Sequence, residues 1–140
     1  MATLAAVRTA LRVRLLTITP TIDVYRVWPE NINAPAACIM PASPGGDPHT
    51  TFAGRGSFFF DIIMVGGALQ QGLVKAQDKL DGYMDLSGAN SLVGAIEADA
   101  TLGGNAETVL VGSWTDYGEI IINSLEYMAA RLPIEVCVVT

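Results

Sequence analysis

The chain has 140 residues, of which 51% are hydrophobic and only 16% are charged. We predict one domain over residues 1–140, because this length supports one hydrophobic core. Fourteen acidic and eight basic residues give a formal charge of −6, which argues against the broad basic surface that binding to nucleic acid requires. The apolar excess indicates contacts between subunits.

The cysteines and the N-terminal residues indicate a cytosolic protein. Cys38 and Cys137 lie in apolar stretches without the C-x-x-C spacing of a redox or metal site, so we interpret them as buried small hydrophobic residues. Arg8, Arg12 and Arg14 interrupt the apolar residues that a signal peptide would keep together, so no targeting segment is predicted.

A first helix and two short strands are predicted in the first forty residues. The helix begins near Thr3 and ends before Pro20, since apolar residues recur at intervals of three and four: Leu4, Val7, Leu11, Leu15 and Ile18. The strands lie in IDVYRVW from Ile22 and in AACIM from Ala36, on either side of the turn-rich PENINAP.

The segment from Pro41 to Gly54 contains three prolines and three glycines, which predicts a long exposed loop without strand or helix. Long loops in compact domains are usually functional or disordered. We therefore predict a partner-binding loop from Ala42 to Gly54, with these candidate residues: Asp47, His49, Thr50, Thr51 and Phe52, the last as an apolar anchor. The alternative is a surface loop of no consequence.

The apolar run within RGSFFFDIIMVGG, residues 55–67, has only about half the length of a transmembrane helix and contains a carboxylate, so it predicts a buried strand and not a membrane span. Alternation divides this strand into two faces. One face comprises Phe58, Phe60, Ile62 and Met64, and the other comprises Phe59, Asp61, Ile63 and Val65. A carboxylate on the second face needs a partner or water.

The remaining sequence predicts two helices and three strands. One helix has the apolar stripe Leu69, Leu73, Ala76, Leu80, Tyr83 and Met84, and a short one runs from an N-cap at Asn90 or Ser91 through Ile96 to a glycine stop at Gly103 and Gly104. The strands lie in ETVLVGSWT, in EIII between turns at 116–118 and 123–124, and in the alternating final run, where Pro133 predicts an edge position or a bulge.

These elements predict an α+β fold, with a mixed or antiparallel sheet of about six strands and two to three helices packed on one face.

No catalytic, cofactor or metal site is predicted. His49, the single histidine, lies beside Asp47 without a nucleophile and is interpreted as solvated. The sequence GGALQQG from Gly66 lacks the lysine and hydroxyl residue of a phosphate-binding loop, which favours a plain tight turn. Two further groups have simpler interpretations: Asp78, Asp81 and Asp85 as a solvated helix face, and Trp114 and Tyr117 as core or interface anchors.

Seven stretches of the sequence, in this order, carry a resemblance to a known protein family: VWPENINAPAACIMP, the glycine-rich loop, FFFDIIMV, KAQDKLDGYM, SGANSLVGAIEADATLGG, VLVGSWTDYGEI and EYMAARLPIEVCVV. Together they resemble the tail terminator proteins of long-tailed, siphovirus-type double-stranded DNA bacteriophages, especially those of actinobacterial hosts. The resemblance covers nearly the full length. Its most specific parts are AIEADATLGG and the Trp-x-x-Tyr-Gly turn from Trp114 to Gly118.

The resemblance implies a virion structural protein that is not an enzyme. Six copies would form a ring that caps the head-proximal end of the tail tube, stops its polymerisation and joins the tail to the neck. The implied partners are other copies of the chain, the tail tube protein and a neck or head-completion (stopper) protein, with no membrane. The implied location is the virion, and the host cytoplasm during assembly.

In such a ring, genomic DNA passes through the lumen without specific binding, so we expect an acidic or neutral lining without Arg8, Arg12 and Arg14. The candidate subunit-interface residues are Phe59, Asp61, Ile63, Trp114 and Tyr117. Two alternatives stay open: another phage neck protein, such as a head-tail connector or a tail completion protein, and a homo-oligomeric domain that binds a small molecule.

Overall fold

The computed structural model describes residues 4–18, 22–25, 32, 35–41, 49–52, 55–86, 88, 90–104, 106–122 and 124–139. Its elements in chain order are α1 (Leu4–Leu15), β1 (Asp23–Tyr25), β2 (Ala36–Pro41), β3 (His49–Phe52), β4 (Arg55–Ala68), α2 (Leu73–Met84), α3 (Leu92–Glu97), β5 (Thr108–Val111), β6 (Thr115–Ile122) and β7 (Leu125–Val139). Short 3₁₀ turns at Leu69–Gln71 and Leu102–Gly104 precede α2 and follow α3.

Two long antiparallel strands, β4 and β7, form the centre of one sheet and pair from Arg55 opposite Val139 to Ala68 opposite Tyr127. Each has a row of two short strands on its outer side: β2 and β3 along β4, and β6 and β5 along β7. β1 extends the sheet parallel to β2. The α+β class and the mixed sheet are therefore confirmed, with seven strands in place of about six.

The three helices cover one face of this sheet, as predicted, and enclose the main hydrophobic core. From the helices this core takes Val7, Leu11, Leu15, Ala76, Leu80, Tyr83, Leu92, Val93 and Ile96. From the central strands it takes Phe60, Ile62, Met64, Met128, Ala130, Leu132, Ile134, Val136 and Val138. Both alternating patterns in the sequence are thus confirmed.

The prediction of a tight turn at Gly66 and Gly67 is wrong, because both residues lie within β4, which has a bulge between Val65 and Gly67. Helix α2 crosses the strand here at very short distance. A Cβ atom on Gly66 would lie 2.7 Å from the Cβ atom of Leu80, whereas one on Gly67 would lie 3.5 Å from Ala76. Glycine is therefore required at position 66 for the close approach of α2, and not for a turn.

The predicted loop from Pro41 to Gly54 is wrong for His49–Phe52, which form β3 and pair with residues 55–58 of β4. The reason is local: Thr50, Thr51 and Phe52 favour strand, and only two residues separate Phe52 from Arg55, the length of a hairpin connection. Residues 42–48, with candidate residue Asp47, lie outside the described ranges.

The predicted turn at residues 116–118 is also wrong, because β6 continues through it. The strand accommodates the polar residues by a register shift between Thr115 and Gly118, with Asp116 at a positive φ of 54°. The turn before β7 is confirmed at Ser124, which has a φ of 66°.

Pro133 lies in a central strand, so the prediction of an edge position does not hold for β7 as a whole. Its carbonyl oxygen accepts a hydrogen bond of 2.8 Å from the Gly112 amide, on the side of β5 and β6. In an antiparallel strand the N–H and C=O groups of one residue point to the same side. The missing donor of Pro133 therefore faces residues 112–114, the gap between β5 and β6, where no ladder bond is lost.

Candidate functional site

We call the side of the sheet opposite the helices the open face. At one end it has its own small hydrophobic cluster, made of Ile32, Ala36, Cys38, Val65, Ile122, Tyr127 and Ala129. The rest of this face has no helix over it among the described residues. Strand alternation places these side chains there, among others: Met40, Phe59, Asp61, Ile63, Leu110, Arg131, Pro133 and Glu135.

Asp61 is 95% buried on the open face, with 5% of its surface exposed, and its charge is balanced by Arg131 of the neighbouring strand. The Arg131 Nε atom lies 3.6 Å from a carboxylate oxygen of Asp61, and its Nη1 atom lies 3.1 Å from a carboxylate oxygen of Asp116. This chain of charges explains how the apolar strand FFFDIIMV tolerates a carboxylate, because burying an unpaired charge is costly.

An apolar groove lies beside this charge cluster. It has a volume of about 280 Å³ and is lined by Phe59, Leu110, Pro133 and Glu135 together with neighbouring backbone. Leu110 is 54% exposed, and Glu135 has no ion-pair partner among the described residues. The groove therefore presents exposed apolar surface and a free carboxylate.

A second cavity, of about 210 Å³, lies where Ile63, Ile120 and Ala129 meet Arg131 and Asp116. Both cavities are smaller than the roughly 300–1,000 Å³ of typical small-molecule sites. A broad, shallow surface with exposed apolar side chains is better suited to a protein partner.

Phe59, Asp61 and Ile63 therefore share the open face, but the structure does not bring the other two interface candidates to it. Trp114 packs against the main core on the helix side. The Tyr117 hydroxyl donates a 2.8 Å hydrogen bond to Asp81 of α2, which joins β6 to that helix. Desolvation, and then this bond, raise the pKa of Tyr117 above its ordinary value.

Sequence reasoning missed Arg131, Asp116, Leu110 and Glu135 as part of this surface. The sequence does contain a signal for Arg131. It is a single cation in an apolar strand, and Asp61 is a single carboxylate in another apolar strand, so the two residues are suited to pair across neighbouring strands. For Leu110 and Asp116 no such signal exists, since their positions depend on how β5 and β6 share one side of β7.

Cys38 provides a test of burial on the open face. Desolvation raises the pKa of its thiol to about 12, whereas Cys137 on the same face is only half-buried. Because the thiolate is the reactive form, we expect a thiol reagent at pH 8 to modify Cys137 and to leave Cys38 unmodified until the chain unfolds. Mass spectrometry of labelled peptides checks this, and rapid labelling of Cys38 in the folded protein would contradict it.

Within the described ranges, no group of three or more His, Cys, Asp or Glu side chains is placed to hold a metal ion. The helices described are each too short or too polar to cross a membrane. Searches of protein-family models and of curated proteins find no match to this chain. The geometry of the open face alone makes it the candidate site.

Proposed function

We propose that this chain is the tail terminator of a long-tailed double-stranded DNA bacteriophage. Copies of it form a ring, six-fold by resemblance, that caps the head-proximal end of the tail tube, ends tube polymerisation and joins the tail to the neck. The chain acts by assembly and not by catalysis. Its partners are the tail tube protein and a stopper protein, and genomic DNA passes through the ring without specific binding.

The observation that carries this proposal is the open face. Among the described residues, helices cover only one side of the sheet, while the other side presents the half-buried Phe59 and Ile63 and the 54% exposed Leu110. Apolar surface of this kind on a soluble chain usually marks a contact with another protein. A ring subunit needs such surfaces, because each copy contacts two neighbours.

Electron microscopy and native mass spectrometry of the purified chain test ring formation. We expect a closed ring with the mass of six subunits, and tubes of the source phage's tail tube protein that stop growing when the ring is added. A chain that stays monomeric both alone and with tubes would contradict the proposal.

Two variants that each replace an exposed apolar residue by aspartate test whether assembly depends on the open face or on another part of the surface. Leu110→Asp places a charge on the open face, and we expect it to abolish both the ring and the capping of tubes. Val74→Asp changes a 70% exposed residue of α2 and should abolish neither. Equal behaviour of the two variants would contradict a role for the open face.

Immunogold labelling of virions separates this function from that of another neck protein. A tail terminator should be labelled at the junction of tube and neck and should remain on tails detached from heads. A head-tail connector should remain on the heads instead.

A further inference from the structure

Glu135 is a half-buried carboxylate in an apolar groove, and no cation among the described residues pairs with it. Its neighbours Phe59, Leu110 and Pro133 offer no compensating charge. A charge that loses hydration in such a place needs an opposite charge brought to it. The groove therefore fits a cationic side chain with an apolar stem.

Helix α1, on the other side of the subunit, has three arginines and no acidic residue. Two of them are engaged within the chain: Arg8 lies 5.9 Å from the ring centre of Phe60, and Arg14 donates two hydrogen bonds to the Ala95 carbonyl at 3.0 and 3.1 Å. Arg12 is exposed, and only its Nε atom donates, to the Val24 carbonyl at 3.3 Å.

The terminal nitrogens of Arg12 thus have no acceptor in the part of the chain that the structure describes. Val13 beside Arg12 is 54% exposed, and Thr9, one turn earlier, is also exposed. This side of α1 therefore combines an exposed guanidinium with an exposed apolar residue and a short side chain. The short side chain allows another surface to approach closely.

The edges of the sheet do not favour pairing between copies. Among the described edge strands, β1 has three residues and β3 and β5 have four each, while β6 contains a bulge and carries the charged residues Asp116 and Glu119. Short, bulged and charged edges are the features by which proteins prevent strand addition. Contact between copies is therefore expected through faces.

We propose that the exposed side of α1 of one copy lies in the open-face groove of the next, with the Arg12 guanidinium on the Glu135 carboxylate and Val13 against Leu110 and Phe59. This inference rests on the proposed ring. The two surfaces lie on opposite sides of the sheet, so the contact is heterologous, which is the kind that generates rings. It also places Arg12 between subunits and away from the lumen.

Charge reversal tests this pairing by native mass spectrometry over a concentration series. Arg12→Glu and Glu135→Arg should each raise the concentration needed for the ring by about tenfold or more, because each places like charges together. The double variant should restore assembly at the original concentration. Lys79→Glu and Glu126→Lys, on neither surface, are the matched controls and should leave the ring unchanged.

Cross-linking provides a second measurement that does not depend on charge. In a Cys137→Ser background, Val13→Cys combined with Leu110→Cys should give disulfide-linked oligomers on oxidation, while each single cysteine should not. Thermal unfolding of every variant establishes that the subunit is folded.

The outcomes separate this inference from the proposed function. If the wild-type ring caps tubes but the reversals leave it intact, or the folded double variant fails to assemble, the pairing is wrong and the function stands. If the reversals behave as expected but tubes are not capped, the pairing stands and the function is wrong. A wild-type chain that never assembles overturns both. In the Cys137→Ser background, a Leu110→Cys thiol that is protected from thiol reagents only when tube protein is added would show that the tube protein occupies the groove.

Discussion

Gly66→Ala is expected to lower the free energy of unfolding by about 1–3 kcal/mol, the usual cost of forcing extra volume into a packed interior. The added Cβ atom would lie 2.7 Å from the Cβ atom of Leu80 and 2.9 Å from its backbone. Leu80 is fully buried and its helix backbone cannot yield locally, so α2 as a whole must shift away from β4. Urea unfolding monitored by circular dichroism measures the loss.

Gly67→Ala is the matched control, since the same atom there would meet Ala76 at 3.5 Å, an ordinary contact distance. We expect a much smaller effect from it. Equal destabilisation by the two variants would show that the glycines matter through backbone conformation and not through the close crossing of α2.

Arg131→Met is expected to lower the free energy of unfolding by roughly 2–3 kcal/mol, because it removes the guanidinium beside the buried Asp61 carboxylate. Removing one partner of a fully buried ion pair costs about 3–5 kcal/mol, and the side chain of Arg131 is 29% exposed, which lowers the expected cost. Methionine retains most of the apolar part of the arginine side chain, so the decrease in the free energy of unfolding measures mainly the lost charge interaction with Asp61.

Asp116→Ala is the control for this prediction. It removes the other carboxylate beside Arg131, but the Asp116 side chain is 68% exposed, and exposed ion pairs contribute about 0–1 kcal/mol. Adding Asp61→Leu to Arg131→Met should restore part of the lost stability, since the carboxylate is then no longer left without its cation. A double variant less stable than Arg131→Met alone would contradict the electrostatic explanation.

The elements with strong periodicity could be predicted from the sequence. The stripe of α1 and the alternation in β4 and β7 reflect burial on one side, and the core contains the expected residues. The sequence also predicts the N-cap of α3 at Asn90 or Ser91, and in the structure the Ser91 hydroxyl oxygen accepts a hydrogen bond of 3.0 Å from the Gly94 amide. These features depend on residues that are close together in the sequence.

The errors have a different origin. Prolines and glycines around His49–Phe52 predict a loop, but pairing with β4 overrides that local preference. Gly66 and Gly67 are typical of a turn in the sequence, but their role in the structure depends on the packing of α2 against β4. Likewise, the groove beside Glu135 exists only because β5 lies against the second half of β7, a relation between distant segments.

The order of the strands has a consequence for biosynthesis. β7 joins the two halves of the sheet, yet it follows all the other described strands in the chain, and its partner β4 lies about 60 residues earlier. Until β7 has left the ribosome, β4 lacks one neighbour and β5 and β6 have none, so the sheet cannot close around its centre. Sequence-distant pairing of this kind folds slowly. The subunit should therefore reach its native state only after synthesis of the last strand, and nascent chains should not be competent to assemble.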